Sequence, residues 1–134
     1  MSAGELDRLA RAALHFQIGM AEEVLRNEPD GHHTLRFLAH AYTAVGRHQD
    51  GLKADLRLTE LHPGDCHVRY NLACSLALTG ALDRAFVELR RAIDLGFDDA
   101  DLLRRDQDLV ALHGDPRFDE ILRIVAGEEG GRRS

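Results

Sequence analysis

Residues 66–99, CHVRYNLACSLALTGALDRAFVELRRAIDLGFDD, decide the fold. Leu72, Leu76 and Leu78, with the small Ala73 and Ala77 between them, mark an apolar helix that Thr79-Gly80 breaks. Ala85, Phe86, Leu89, Ala92 and Ile93 then recur at steps of one, three and four, so a second helix buries one face. Ala73, Ala85 and Ala92 are small where the two helices approach, and Phe86 and Leu89 fill the space between them. Glu88 and Arg91 read as the outward face of the second helix. A hairpin of this kind cannot bury its apolar faces alone and calls for neighbours of its own type.

Such a neighbour stands 34 residues earlier. The shift matches His67 with His33, Leu72 with Leu38, Ala73 with Ala39, Gly80 with Gly46, Arg91 with Arg57, Leu95 with Leu61 and Asp99 with Asp65; Pro29 and Pro63 are also 34 apart. The kept positions are those of packing, turn and exit, which a repeat array must preserve. Tyr70-Asn71-Leu72-Ala73, Gly80, Ala85, Leu89 and Ala92, with Leu38-Ala39, Tyr42, Gly46 and Pro63 before them, resemble the tetratricopeptide repeat (TPR) family over residues 32–99. Gly51, Asp55 and Leu58 stand where that family has small, aromatic and small residues, which predicts less regular packing of that helix. The resemblance implies an all-α, right-handed α-solenoid of antiparallel helix hairpins.

The flanks are read from this frame. Leu6, Leu9, Ala10, Ala13, Phe16, Met20, Val24 and Leu25 keep a helical period until Pro29-Asp30-Gly31 stops it. Either one helix runs through, or a degenerate repeat has helices near 4–11 and 14–27; terminal repeats are commonly atypical, which favours the second. A helix over 32–45 follows, then one over 50–61 with Asp50 as a possible N-cap. The central pair covers 66–79 and 82–95. Asp98 or Asp99 can cap a short helix carrying Leu102 and Leu103, a further segment spans Asp106–His113, and Asp115-Pro116 starts a last helix whose buried stripe is Phe118, Ile121, Leu122 and Val125. The run from Gly96-Phe97 to Phe118 is similar to the closing segment of many bacterial TPR arrays. The expected organisation is a single domain over 1–127, with a degenerate repeat at 1–31, repeats at 32–65 and 66–99 and closing helices at 100–127. Residues 128–134, EEGGRRS, have nothing to bury and are expected to be a disordered tail.

Composition limits function. A net charge of −6 opposes binding to a nucleic-acid backbone. No run approaches the roughly 20 apolar residues of a membrane span, and Glu5 and Asp7 stand where a secretory signal needs positive charge. Cys66 and Cys74 lie about 12 Å apart along one helix, too far for a disulfide between them; a cytoplasmic setting is expected. No phosphate loop, nucleophile elbow or His-Glu-x-x-His motif is present, so no enzyme is expected. Cys66, His67 and Cys74, with nearby histidines, suggest a metal or redox sensor, but they lack the paired short spacings of a zinc site; Asp98-Asp99-Asp101 and Asp106-Asp108 form an acidic cluster without the regular ligand spacing and glycine of a calcium loop, and read as caps and solvated charge. The expectation is no metal and no cofactor.

The resemblance places binding on the leading helix of each hairpin. It implies a non-enzymatic adaptor that takes a protein or peptide partner in a concave groove lined by His33, Arg36, His40, Thr43, His67, Tyr70, Asn71, Cys74 and Arg105. Arg36, His40, Asn71 and Arg105 partly resemble a clamp for a partner's C-terminal carboxylate; Asp101, where lysine is usual, opposes it. Tyr70 and Asn71 also have a structural reading, in which Tyr70 packs on the next helix. An assembly part meeting partners by its convex face or ends is the other interaction reading, and a monomer or weak homo-oligomer is expected.

Overall fold

The computed structural model describes residues 1–127; the expected disordered tail, 128–134, lies outside them. Among the described residues the chain is helical throughout: α1 (Ala3–Asn27), α2 (His32–Ala44), α3 (His48–Leu61), α4 (Cys66–Leu78), α5 (Leu82–Asp94), α6 (Ala100–Arg105), a 3-10 helix (Gln107–Leu112) and α7 (Pro116–Val125). It divides into two compact units, Met1–Leu61 and the chain from His62 onward.

The 34-residue period recurs in the backbone itself. Gly46 and Gly80 both take left-handed φ, 81° and 86°, which glycine reaches without the steric cost of a Cβ. Each ends its helix with the same pair of bonds: the Arg47 and Ala81 amides donate to the Tyr42 and Leu76 carbonyls, and the Gly46 and Gly80 amides to those of Thr43 and Ala77. Asp65 and Asp99, also one period apart, cap α4 and α6 through bonds from the Val68 and Leu102 amides at 3.2 and 2.9 Å. Asp106 and Asp115 cap the 3-10 helix and α7 in the same way. Asp50 does not cap α3. That helix already begins at His48, and Asp50 sits in its first turn with the Arg47 guanidinium 2.9 Å away.

In the first unit, α1 is one unbroken helix of 25 residues. The expected division near residue 12 is absent because Ala10, Ala12 and Ala13 favour helix and neither Gly nor Pro interrupts it there. Ile18, Leu38, Ala41 and Tyr42 form the core, with Leu14, Ala21, Leu25 and Val45 packed around them. Gly51 lets α3 approach α2 closely, since a Cβ there would lie 3.2 Å from Thr43 Oγ1.

In the second unit, Ala73, Leu76, Ala85, Leu89 and Ala92 have no more than traces of exposure, so α4 and α5 meet at their small residues as the pattern required. Leu103, Leu109, Leu112 and Phe118 of the closing segment are buried with them. Glu88 corrects the sequence reading. It is 5% exposed rather than outward-facing, and its carboxylate accepts from Arg69 of α4 at 3.0 Å and from Arg91 at 2.7 Å. Arg69 is itself largely buried, whereas Arg91 remains exposed.

Candidate functional site

The residues expected to line a groove meet different fates on the two leading helices. On α2, His33 and His40 are exposed, and Arg36 and Thr43 are half-buried. The helix buries Leu35, Leu38, Ala39, Ala41 and Tyr42, leaving an outward row of His33, Phe37 and His40 at steps of four and three. Phe37 was not among the sequence candidates, although its place one position after Arg36 on an otherwise polar row was the available signal. Arg36 donates from Nε to His32 Nε2 at 2.7 Å, and Thr43 donates to the Ala39 carbonyl at 3.1 Å. Thr43 therefore spends its proton on its own helix.

On α4 the places one period after Arg36 and His40 are covered. Tyr70 is 4% exposed and Cys74 is 6%. The Tyr70 ring stacks on Phe97 with centroids 4.4 Å apart and planes 8° from parallel. Its hydroxyl donates to Asp106 Oδ2 at 2.5 Å, and the Cys74 thiol lies 3.8 Å from the same oxygen. Burial, with Cys74 and the Asp106 carboxylate adding to it, pushes the Tyr70 phenol far above its ordinary range. His67 stays exposed, edge-on to Phe97 at 6.1 Å, and Asn71 is half-buried. Arg105 is exposed on α6, and Asp101 on the same helix pairs with Arg104 at 3.1 Å. In this conformation Tyr70 and Cys74 serve the joint between α4 and the closing segment, which is the structural reading the sequence left open for Tyr70.

The cysteines do not assemble into the sensor constellation. Neither is in a disulfide; Cys66 is half-buried and Cys74 buried. Among the described residues the one grouping of three metal-ligating side chains is Cys74, Asp106 and Asp108, which contains neither Cys66 nor His67. Asp106 already receives the Tyr70 hydroxyl and, on its other oxygen, the Asp108 amide at 3.0 Å. That is the bonding of a helix cap.

A further concavity, which no sequence motif announced, lies in the first unit between α1, α2 and α3. It has a volume of about 470 Å³, a floor that includes Leu25, Leu35, Leu38 and Ala54, and Lys53 and Arg57 at its edge. Above it the Tyr42 hydroxyl donates to Glu22 at 2.6 Å, while the Arg47 guanidinium lies over the Tyr42 ring at 4.6 Å. Burial, followed by the bond to Glu22, pushes the Tyr42 phenol up to about 12.

Antiparallel helix hairpins with a 34-residue recurrence of turns and caps define an all-α fold of the TPR-like helical-solenoid class. The chain is similar to the solved structure of MamA, a TPR-containing protein, with a TM-score of 0.71 and 20% identity over 98% of this chain and 77% of that one. It is similar also to the structure of MamA MSR-1 C2, with a TM-score of 0.68 and 18% identity over 94% of this chain and 72% of that one. No family model and no curated protein matches the chain. No described helix is long and apolar enough to cross a membrane.

Proposed function

We propose that the protein is a non-enzymatic interaction module that binds a segment of a partner protein along α2. The observation that carries this reading is the exposed row His33, Phe37 and His40, with Arg36 beside it, on a helix whose opposite face is locked into the core. A preformed rigid face lowers the ordering cost of association. Phe37 offers an apolar anchor, and the imidazoles and Arg36 reach carbonyl or carboxylate oxygens on either side of it. His67, Asn71 and Arg105 remain candidate contacts of the same module, whereas Tyr70 and Cys74 act through the joint they hold. Kinship with TPR arrays, including the bacterial closing segment, and a cytoplasmic setting belong to this proposal; that neither Cys66 nor Cys74 is in a disulfide is compatible with the latter.

The test is affinity capture from the native cell with Phe37→Ala/His40→Ala, compared with wild type and with Val87→Ser on the exposed side of α5. Loss of the same captured partner in the first variant and retention in the second, with melting unchanged in both, is the expected result. Retention in the α2 variant and loss in the α5 variant would move the site off the leading helix.

A further inference from the structure

The concavity of the first unit has a floor without polar side chains: Leu25 comes from α1, Leu35 and Leu38 from α2, and Ala54 from α3. Leu35 and Leu38 stand on the side of α2 opposite the His33, Phe37 and His40 row, so this space is separate from the site proposed above. A tie between the walls closes each end. At one end Glu22 accepts from the Tyr42 hydroxyl at 2.6 Å and lies 3.5 Å from the Arg47 guanidinium, which also donates to Asp50 at 2.9 Å. At the other end Arg57 pairs with Asp30. Between the ties the α3 wall runs from Asp50 to Arg57, about 10 Å of helix. The volume of about 470 Å³ lies within the ordinary range of small-molecule sites.

We propose that this slot binds a free aliphatic carboxylate of about eight to ten carbons, its tail on the leucine floor and its head at Lys53. The charges of the lining select the head. Its two acids, Glu22 and Asp50, already face Arg47. Of its three cations, Arg57 holds Asp30 and Arg26 holds Glu23, whereas Lys53 stands exposed at the edge with no partner among the described residues. Three cations to two acids is also a local reversal of sign on a chain whose net charge is −6. An alkylammonium head would meet that cationic edge, and both acids that would hold it are engaged. The floor selects the tail. Leucine and alanine side chains offer nothing to the N–H and C=O groups of a polypeptide segment, and such groups lose water on entry. An alkyl chain has no polar groups to desolvate, and about 10 Å of wall matches the extended length of about eight carbons.

The experiment is isothermal titration calorimetry of the full chain at neutral pH with octanoate, decanoate, octylammonium and 1-octanol, each below its aggregation limit. One decanoate is expected per chain, with a dissociation constant on the order of 100 μM for a ligand of this size. Decanoate should bind about three- to fifteenfold more tightly than octanoate, on two further methylenes. Octanoate should bind at least about threefold more tightly than octylammonium, as an exposed ion pair allows. Lys53→Glu should weaken octanoate about tenfold and leave 1-octanol within about twofold, because only the head meets that side chain. Ala54→Leu, which fills the floor, should weaken octanoate, decanoate and 1-octanol alike by at least about tenfold; if that variant unfolds, the ligand series on the wild-type chain still decides. Absence of saturable decanoate binding overturns the proposal. So does octylammonium binding as tightly as octanoate, or an octanoate affinity indifferent to Lys53→Glu. Decanoate binding that survives in a folded Ala54→Leu variant overturns it as well. Its loss in Phe16→Ser would then assign the amphiphile to the uncovered apolar row of α1, where Leu6, Leu9, Phe16, Met20 and Val24 are exposed.

Discussion

Glu88→Gln tests whether a charge on the second helix of the central hairpin is surface decoration or a tie between helices. Read from the chain alone, the change lies on a solvent face and should move stability by less than about 0.5 kcal/mol. In the structure Glu88 is 5% exposed and bonded to two arginines. The two bonds are unequal. The Arg91 side chain is 57% exposed, so its share is that of a surface pair, below about 1 kcal/mol. Arg69 is only 18% exposed, and its remaining protein acceptor is the Pro63 carbonyl at 3.1 Å. Removing a charged partner from a buried pair costs about 3–5 kcal/mol at full burial. Glutamine keeps the shape and one acceptor oxygen, and Arg69 retains the Pro63 bond, so about 2 kcal/mol is expected. In urea that corresponds to a midpoint lower by about 1 M at an unchanged slope for a chain of this size. Arg91→Ala should cost less than half as much. A Glu88→Gln midpoint within error of wild type, or an Arg91→Ala loss equal to it, would refute the argument that the Arg69 bond across α4 and α5 carries the stability.

Ala73→Leu and Ala85→Leu place extra carbons where both residues have no exposure, and each should cost about 1–3 kcal/mol by overpacking; Val87→Leu, at an exposed site on the same helix as Ala85, is the denaturation control expected to be neutral. The chain has two tyrosines and no tryptophan, so phenolate absorbance near 295 nm, a standard signature of tyrosine ionisation near pH 10 when unperturbed, reports Tyr42 and Tyr70 alone. Both are held neutral by the fold, Tyr42 up to about 12 and Tyr70 beyond that. Their contribution is therefore complete below the unfolded value near 10 and is lost as pH rises from there towards the folded values. Melting temperature should fall from about pH 10 upward, with absorbance appearing together with unfolding; free-phenol titration of either tyrosine in the folded protein would contradict the burial described.

What the chain alone determines here is local. The left-handed φ at Gly46 and Gly80, the caps at Asp65 and Asp99 and the Asp115-Pro116 helix start act over four or five residues, so they are written in those residues and recur with the repeat. The small-residue seam of α4 and α5 was equally legible, because steps of three and four on two adjacent helices leave one way to fold them together. What lies across from each helix is another matter. Glu88 looked outward until the reach of Arg69 from α4 enclosed it. Tyr70 and Cys74 occupied the places of an open row until Phe97 and Asp106, some thirty residues away, closed over them, while His40, one period before Cys74, stayed exposed on α2. The apolar period of α1 was plain in the chain, but a period shows that a face exists and not what it meets. Only the tertiary structure, in which α2 is too short to follow α1 to its start, separated the row that is buried from the row left uncovered.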